Sequence, residues 1–256
     1  MKKNKMEINK IFFIITALLF NLVILQTSFS QMSRIEIDEE RALYKNNKVK
    51  TLIITGQNGY KRVTEIDRDG KKMKSNDFYN NMEANITNYE YDLNGNLTEE
   101  SYYGYESGDG FSFKYSYDEE GNVSSILTEG GDENNTIFSY DNSGSVTIIE
   151  ITDIGLNPQP PFIKEFENIY TDERISTITH ICNSNIETAD YTQYTYDNDL
   201  LFSVENFEKN CIDGTLKFTS RESYTYFPNM LMKQTSYESG YSEGIEITKY
   251  DYEYYR

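Results

Sequence analysis

A nine-residue phrase recurs along this chain with slow drift, and it constrains the fold more than any other feature. Tyr89-Glu90-Tyr91-Asp92-Leu93-Asn94-Gly95-Asn96-Leu97 is followed by Tyr115-Ser116-Tyr117-Asp118-Glu119-Glu120-Gly121-Asn122-Val123, then by Phe138-Ser139-Tyr140-Asp141-Asn142-Ser143-Gly144-Ser145-Val146. A worn copy follows at Tyr194-Thr195-Tyr196-Asp197-Asn198-Asp199-Leu200-Leu201. The aspartate position falls at Asp67, Asp92, Asp118, Asp141, Asp172 and Asp197, in steps of 25, 26, 23, 31 and 25 residues. Weaker copies extend the series to Tyr44-Lys45-Asn46-Asn47-Lys48-Val49 on one side and Tyr224-Thr225-Tyr226-Phe227-Pro228-Asn229 on the other. A fixed period marks a stack of copies of one small unit. About eight units of this period fill the chain and leave no room for a separate catalytic domain.

The content of one unit follows from residue type and spacing. Tyr, Phe, Val, Ile and Thr dominate the runs, and successive aromatics sit two apart, which is strand spacing. In Tyr89/Tyr91, Tyr115/Tyr117, Tyr194/Tyr196 and Tyr224/Tyr226 both rings point to one face, and the residue between them points to the other. One face is therefore aromatic and the other wet. The Asp-x-x-Gly-Asn stretch that follows is turn chemistry: the carboxylate accepts backbone hydrogen bonds, and Gly95, Gly121 or Gly144 supplies a positive φ. Each phrase is the near turn of a hairpin.

A second, more variable reversal lies between near turns, at 56–59, 106–110, 129–135, 183–188, 210–215 and 238–244. Two strands per unit predict an all-β, antiparallel meander of about 16 strands, more than a strongly twisted open sheet carries without curling. The expectation is a curved or coiled open sheet in which Lys249–Arg256 forms an exposed edge strand. The segment Ser33–Tyr44 reads as either a first strand or a short helix. Asn157-Pro158-Gln159-Pro160-Pro161 is excluded from a central strand by its prolines. Because the repeat resumes at Tyr170-Thr171-Asp172, it reads as an enlarged loop inside one domain spanning residues 31–256.

The amino terminus differs from everything after it. Lys2, Lys3, Lys5 and Lys10 precede the apolar run Ile11–Leu25, and Ser28-Phe29-Ser30 offers small residues before Gln31. That is the pattern of a cleaved signal peptide over residues 1–30. The run is shorter than the ~20 residues that span a bilayer, no cysteine follows it to carry a lipid, and no later apolar span exists. Export to the periplasm or the exterior is expected, with no integral membrane span after signal removal.

Residues 31–256 carry 20 Lys and Arg against 41 Asp and Glu, a net charge of −21. This acidity disfavours nucleic acid and anionic membrane surfaces as partners and permits basic proteins or cations. The two cysteines, Cys182 and Cys211, fall at far turns of consecutive units, and an oxidising compartment makes a disulfide plausible. Such a bond would close a loop of 29 residues and stabilise by roughly 3–4 kcal/mol in the chain-entropy model. Strands two apart lie nearly ~10 Å from each other, so the two turns must bend to meet. His180 is the only histidine, too few nitrogen and sulfur ligands for a zinc site, and it reads as an ordinary strand residue.

No carboxylate pair stands out as a general acid and base. Asp92–Asn96 has a faint calcium-loop character but meets Tyr103, not glutamate, at the twelfth position. Catalytic, metal and cofactor residues are therefore all expected to be absent.

The phrase Tyr-x-Tyr-Asp-x-x-Gly-Asn-Leu/Val, as in Tyr89–Leu97 and Tyr115–Val123, resembles the YD repeat of Rhs-type proteins over about residues 44–255. The resemblance implies antiparallel β-ribbons that coil into hollow shells around a toxic carboxy-terminal segment, or that serve at cell surfaces in adhesion and carbohydrate contact. This chain has far fewer units and ends on a strand, so a short exported member without a toxin domain is expected, and a sealed shell is not.

Two functions of different class follow. One is a non-catalytic binding module that presents tyrosines near far turns, Tyr102, Tyr103, Tyr105 and Tyr241, to a cell-surface glycan, since a tyrosine ring packs on a sugar face while its hydroxyl stays hydrated. The other is an acidic scaffold that binds an envelope protein. Polar alternate positions such as Ser101, Ser125 and Thr177 speak against a lipid-carrying trough.

Overall fold

The structure is a computed structural model that describes residues 34–105, 108, 110–130, 133–142, 144–154, 160–171, 174–182, 187–198, 200–241 and 244–255, with side chains from residue 39 onward. The signal segment, Asp172, the 183–186 reversal and most of the proline loop lie outside the described residues.

The described chain opens with helix α1 (Arg34–Asn46). Sixteen strands follow: β1 (Val49–Thr55), β2 (Tyr60–Ile66), β3 (Lys72–Tyr79), β4 (Met82–Tyr91), β5 (Leu97–Gly104), β6 (Gly110–Tyr117), β7 (Val123–Glu129) and β8 (Asn134–Tyr140). The second half contributes β9 (Val146–Asp153), β10 (Phe162–Thr171), β11 (Arg174–His180), β12 (Thr188–Asp197), β13 (Leu200–Asn210), β14 (Leu216–Tyr226), β15 (Met232–Ser239) and β16 (Ile245–Tyr254). Every strand pairs antiparallel with its sequence neighbours, and β16 returns to pair with β1, from Val49↔Tyr254 to Thr55↔Lys249.

The all-β meander of 16 strands is therefore observed, but the open sheet is corrected to a closed barrel. Lys249–Tyr254 is a paired strand and not a free edge. The ambiguous amino-terminal segment is a helix. Closure removes both edges, so no row of backbone donors and acceptors is left for a stray strand.

The near turns share one construction. In the second copy Asp92 N–H donates to Asn96 O (2.9 Å) and Gly95 N–H to Asp92 O (3.0 Å), and Asp92 Oδ1 accepts from Asn96 N–H (2.8 Å). Asp67, Asp118 and Asp141 repeat the pattern. Gly70 and Gly95, at φ +82° and +90°, could not be replaced cheaply, because an added Cβ would also strike Arg41 of α1.

A register shift sits beside each of the seven near turns, at Glu65/Ile66, Glu90/Tyr91, Ser116/Tyr117, Ser139/Tyr140, Ile169/Tyr170, Thr195/Tyr196 and Thr225/Tyr226. A bulge bends its strand and sharpens the twist. Seven on one rim give the sheet a cumulative curvature that the alternating pattern alone does not reveal.

Bulges also disrupt the hydrogen-bond ladder, and tyrosine hydroxyls supply donors there. Tyr91 donates to Lys72 O (2.9 Å), Tyr117 to Leu97 O (2.7 Å), Tyr140 to Val123 O (2.6 Å), Tyr226 to Leu201 O (2.9 Å) and Tyr252 to Met232 O (2.9 Å). Each bond ties a unit to the one before it. The first unit breaks the series, since Ile66 stands at the tyrosine place, fully buried, and its carbonyl accepts from Tyr255 O–H (2.7 Å).

Alternate residues divide into a shielded set and an accessible set, as in β10, β12 and β16. The shielded set runs round the ring and includes the surface on which α1 packs, so it is the concave face. The accessible set carries charge along the strands, as at Lys61, Glu90, Lys114, Glu150, Glu165 and Arg221. Ser101, Ser125 and Thr177 belong to that outer set through their pairing with Ser112, Ile137 and Ile169. They say nothing about the lumen.

Candidate functional site

The two rims differ. The near-turn rim is occupied by α1. Arg41 Nε donates to Asp69 O (3.1 Å) and its Nη1 to Gly95 O (3.3 Å), Lys45 pairs with Asp69 (3.1 Å), and Asn47 exchanges hydrogen bonds with Asn229. Buried Tyr44 closes a core with Val49, Leu52, Ile66 and Leu231.

Below the helix, the inner face of β2–β5 is a polar cluster. Arg62 holds Asp77 with two hydrogen bonds (2.6 and 2.9 Å), Tyr60 O–H donates to the same carboxylate (3.1 Å), and Lys72 pairs with Glu40 of α1 (2.8 Å). Thr64, Ser75 and Tyr89 hydroxyls form a chain at 2.8 and 3.1 Å. Burial pushes the Glu100 carboxyl up, although hydroxyls from Tyr102 and Tyr115 and the charge of Lys72 pull it down. Burial acts the same way on Glu40, but there the Lys72 ammonium and its hydrogen bond win and hold the carboxyl below its ordinary value. Glu222, hydrogen bonded to Tyr224, is also pushed up by burial.

Each charged group in the β2–β5 cluster is engaged by a neighbour, and Glu100 is almost fully buried. Among the described residues, no group of three or more His, Cys, Asp or Glu is placed to hold a metal ion. His180 ends β11, buried, with its ring 5.7 Å from Phe166. Burial and the nearby Lys164 ammonium hold it below the ordinary imidazole value. Cys182 and Cys211 are joined in a disulfide with Cα atoms 5.5 Å apart, at far turns on the same rim.

The far-turn rim is where exposed rings gather. Tyr103 and Tyr105 meet edge to face, centroids 5.7 Å apart, and both are exposed. Glu83 accepts a hydrogen bond from Tyr105. Tyr79 and Met82 lie one hairpin away, and Tyr60 and Tyr79 rings pack at 5.3 Å. Tyr241 is exposed on the β15–β16 turn with the Lys217 ammonium 4.9 Å from its ring centroid.

Of the four tyrosines singled out from the sequence, three are exposed on this rim, and only Tyr103 and Tyr105 are brought together. Tyr102 is corrected: it pairs with Thr87 on the inner face, stacks on Phe111 at 4.7 Å and donates to Glu100 (2.7 Å). Strand alternation alone turns it away from its neighbour Tyr103. Sequence reasoning also missed the β3–β4 reversal at Asn80-Asn81. Both residues have positive φ, 50° and 65°, and adjacent asparagines are the available signal for such a two-residue hairpin.

No protein-family model matches the chain, and no curated protein matches it. Among solved structures it is similar to a porin-like protein from Bacteroides uniformis, at TM-score 0.39 and 10% identity over 81% of this chain and 97% of that one. It is also similar to a TcdB2-TccC3-Cdc42 complex, at TM-score 0.27 and 11% identity, covering 75% of this chain and 15% of the other. A Photorhabdus luminescens Tc holotoxin pore gives TM-score 0.27 and 12% identity, covering 75% of this chain and 14% of that one.

Proposed function

We propose that this chain is an exported, non-catalytic binding module of YD-type hairpins, and that the far-turn rim over β3–β6 grips a cell-surface glycan. The exposed, mutually braced Tyr103–Tyr105 pair carries this reading. Rigid rings with hydrated hydroxyls stack on sugar faces at small entropic cost, and Glu83 beside them supplies an acceptor for sugar hydroxyls. The amino-terminal pattern supports export. The charged residues that the outer wall carries, such as Lys114, Glu150, Glu165 and Arg221, are costly on a lipid-facing surface, which supports a barrel standing in water.

The test is affinity electrophoresis of the purified protein through soluble polysaccharides at low and high salt. Salt-resistant retardation by a neutral glycan, lost in Tyr103→Ala/Tyr105→Ala and kept in Tyr241→Ala, is the expected result. Absence of retardation across the panel would direct attention to the second reading, a scaffold that binds a basic envelope protein. The −21 charge favours that reading, and its binding would weaken steeply with salt.

A further inference from the structure

The strand number sets the width of the barrel. A round ring of sixteen strands about 4.8 Å apart has a perimeter of about 77 Å and spans about 24 Å between backbones, and strand tilt widens it further. Opposed sheets whose side chains interdigitate lie only about 10 Å apart, so strand side chains alone do not fill the centre. The two apolar clusters are separate: one is confined to α1, β16–β2 and the β14–β15 turn, the other to β6–β10. The barrel therefore has a lumen. At its near-turn end α1 lies over β2–β5, bonded to the β2–β3, β4–β5 and β14–β15 turns.

The β2–β5 wall of this lumen is lined in a fixed order from the far-turn lip inward. Tyr60 and Tyr79 are cross-strand partners on the inner side of the lip, with rings 5.3 Å apart, and Tyr79 is exposed. Tyr103, of opposite strand phase to Tyr102, stands on the outer side of the same lip. Deeper in, Arg62 gives two N–H groups to Asp77, and a guanidinium has further donors to offer. Its side chain keeps 27% exposure, and on this face that exposure is to the lumen. The Thr64, Ser75 and Tyr89 hydroxyls follow, and the Lys72–Glu40 pair ends the series at α1.

Charge selects the ligand. Arg62 and Lys72 are each matched by a carboxylate, Asp77 and Glu40, and Glu100 adds a third acid from β5. The wall has no net positive charge with which to hold a phosphate or a carboxylate. It presents aromatic faces, hydroxyls and a hydrogen-bonded ion pair, a combination suited to a neutral, hydroxyl-rich ligand.

We infer that the inner wall of β2–β5 is a saccharide subsite that takes the end of a neutral glycan chain through the far-turn lip. The Tyr60–Tyr79 rings receive a sugar face, and the Arg62–Asp77 pair binds hydroxyls below them. This rests on the glycan reading of the rim and adds to it which part of the glycan is held. A chain that descends this wall meets α1, so a terminus enters, while Tyr103 and Tyr105 contact the part left outside.

A glycan array probed with the purified protein tests this, together with competition by one retained polysaccharide before and after partial hydrolysis. The variants are Tyr79→Ala, at an exposed position, and Arg62→Met/Asp77→Leu, which replaces the pair as a unit. Urea unfolding checks that both fold. The expected result is retention of neutral glycans by the wild type, at least ten-fold weaker in both variants, with hydrolysed polysaccharide competing better than an equal mass of intact chains. Should the double variant unfold, Tyr79→Ala and the hydrolysis comparison decide. Retention lost only in Tyr103→Ala/Tyr105→Ala, or equal competition by intact and hydrolysed chains, would overturn the luminal subsite and leave the rim reading standing. Retention of no glycan would remove both, and preference for acidic glycans would overturn the neutral ligand.

Discussion

The inner wall of β2–β5 and the inner wall of β7–β10 solve one problem in opposite ways. The first carries Arg62, Asp77, Lys72 and Glu100 beneath α1, bound by charge-assisted hydrogen bonds. The second carries Val123, Phe138, Val146 and Ile149, with Tyr115, Tyr117, Tyr140 and Phe166 packed on them. Both walls use the same repeat, the same turn and the same bulge. The repeat therefore specifies the backbone, while the residues between its aromatics decide whether a wall is held by ion pairs or by apolar packing.

The largest expected effect separates the two walls directly. Asp77→Ala leaves Arg62 facing inward without its carboxylate and should cost about 3–5 kcal/mol, whereas Arg62→Met/Asp77→Leu should regain most of that loss. Urea unfolding of the single and double variants measures both. In the apolar wall, Ile149→Ala should cost about 2–4 kcal/mol through lost transfer energy and a residual cavity, with no dependence on pH.

The pH dependence sharpens the contrast, because two carboxylates of the polar wall act with opposite signs. Glu40 is held below its ordinary value, so its contribution is present above about pH 4.3 and is lost as pH falls through the folded value. Glu100 is raised, so its native state prefers the proton and stability declines as pH rises from the ordinary value through the raised one. Glu100→Gln should flatten that decline, and Glu40→Gln should remove the loss on the acid side. Urea midpoints from pH 3 to 8 read both. An unchanged pH profile in Glu100→Gln would mean that the polar wall is not the source of the slope. The smallest effect belongs to the bonds shared by both walls: Tyr117→Phe should cost about 0.5–1.5 kcal/mol by removing the donor to Leu97 O.

The hairpins were legible because their signals are local. Asp92, Gly95 and the Tyr89/Tyr91 spacing state a turn and a strand face without reference to the rest of the molecule. Closure was not legible, because the pairing of Val49 with Tyr254 results from a small bend added at every near turn, and no single residue announces it. Tyr102 failed for a related reason. Its face is set by register against Thr87, and exposure near a far turn cannot be read from position along the chain alone. The polar wall escaped notice because Arg62, Asp77, Lys72 and Glu100 come from three strands and look like surface charges until the barrel folds them inward.

The seam between β1 and β16 also sets the order of events during folding. Hairpins can form as soon as each near turn is made, since their contacts are local. The β1 edge must wait for a strand that lies at the other end of the described chain, and the entropy of closing so long a loop is met only at that step. Until then the chain is a curved ribbon with two exposed edges, able to pair with another unfinished copy. The last strand thus works as a clasp, and the Tyr252 and Tyr255 hydroxyls that bond to Met232 and Ile66 carbonyls fasten it on either side of the seam.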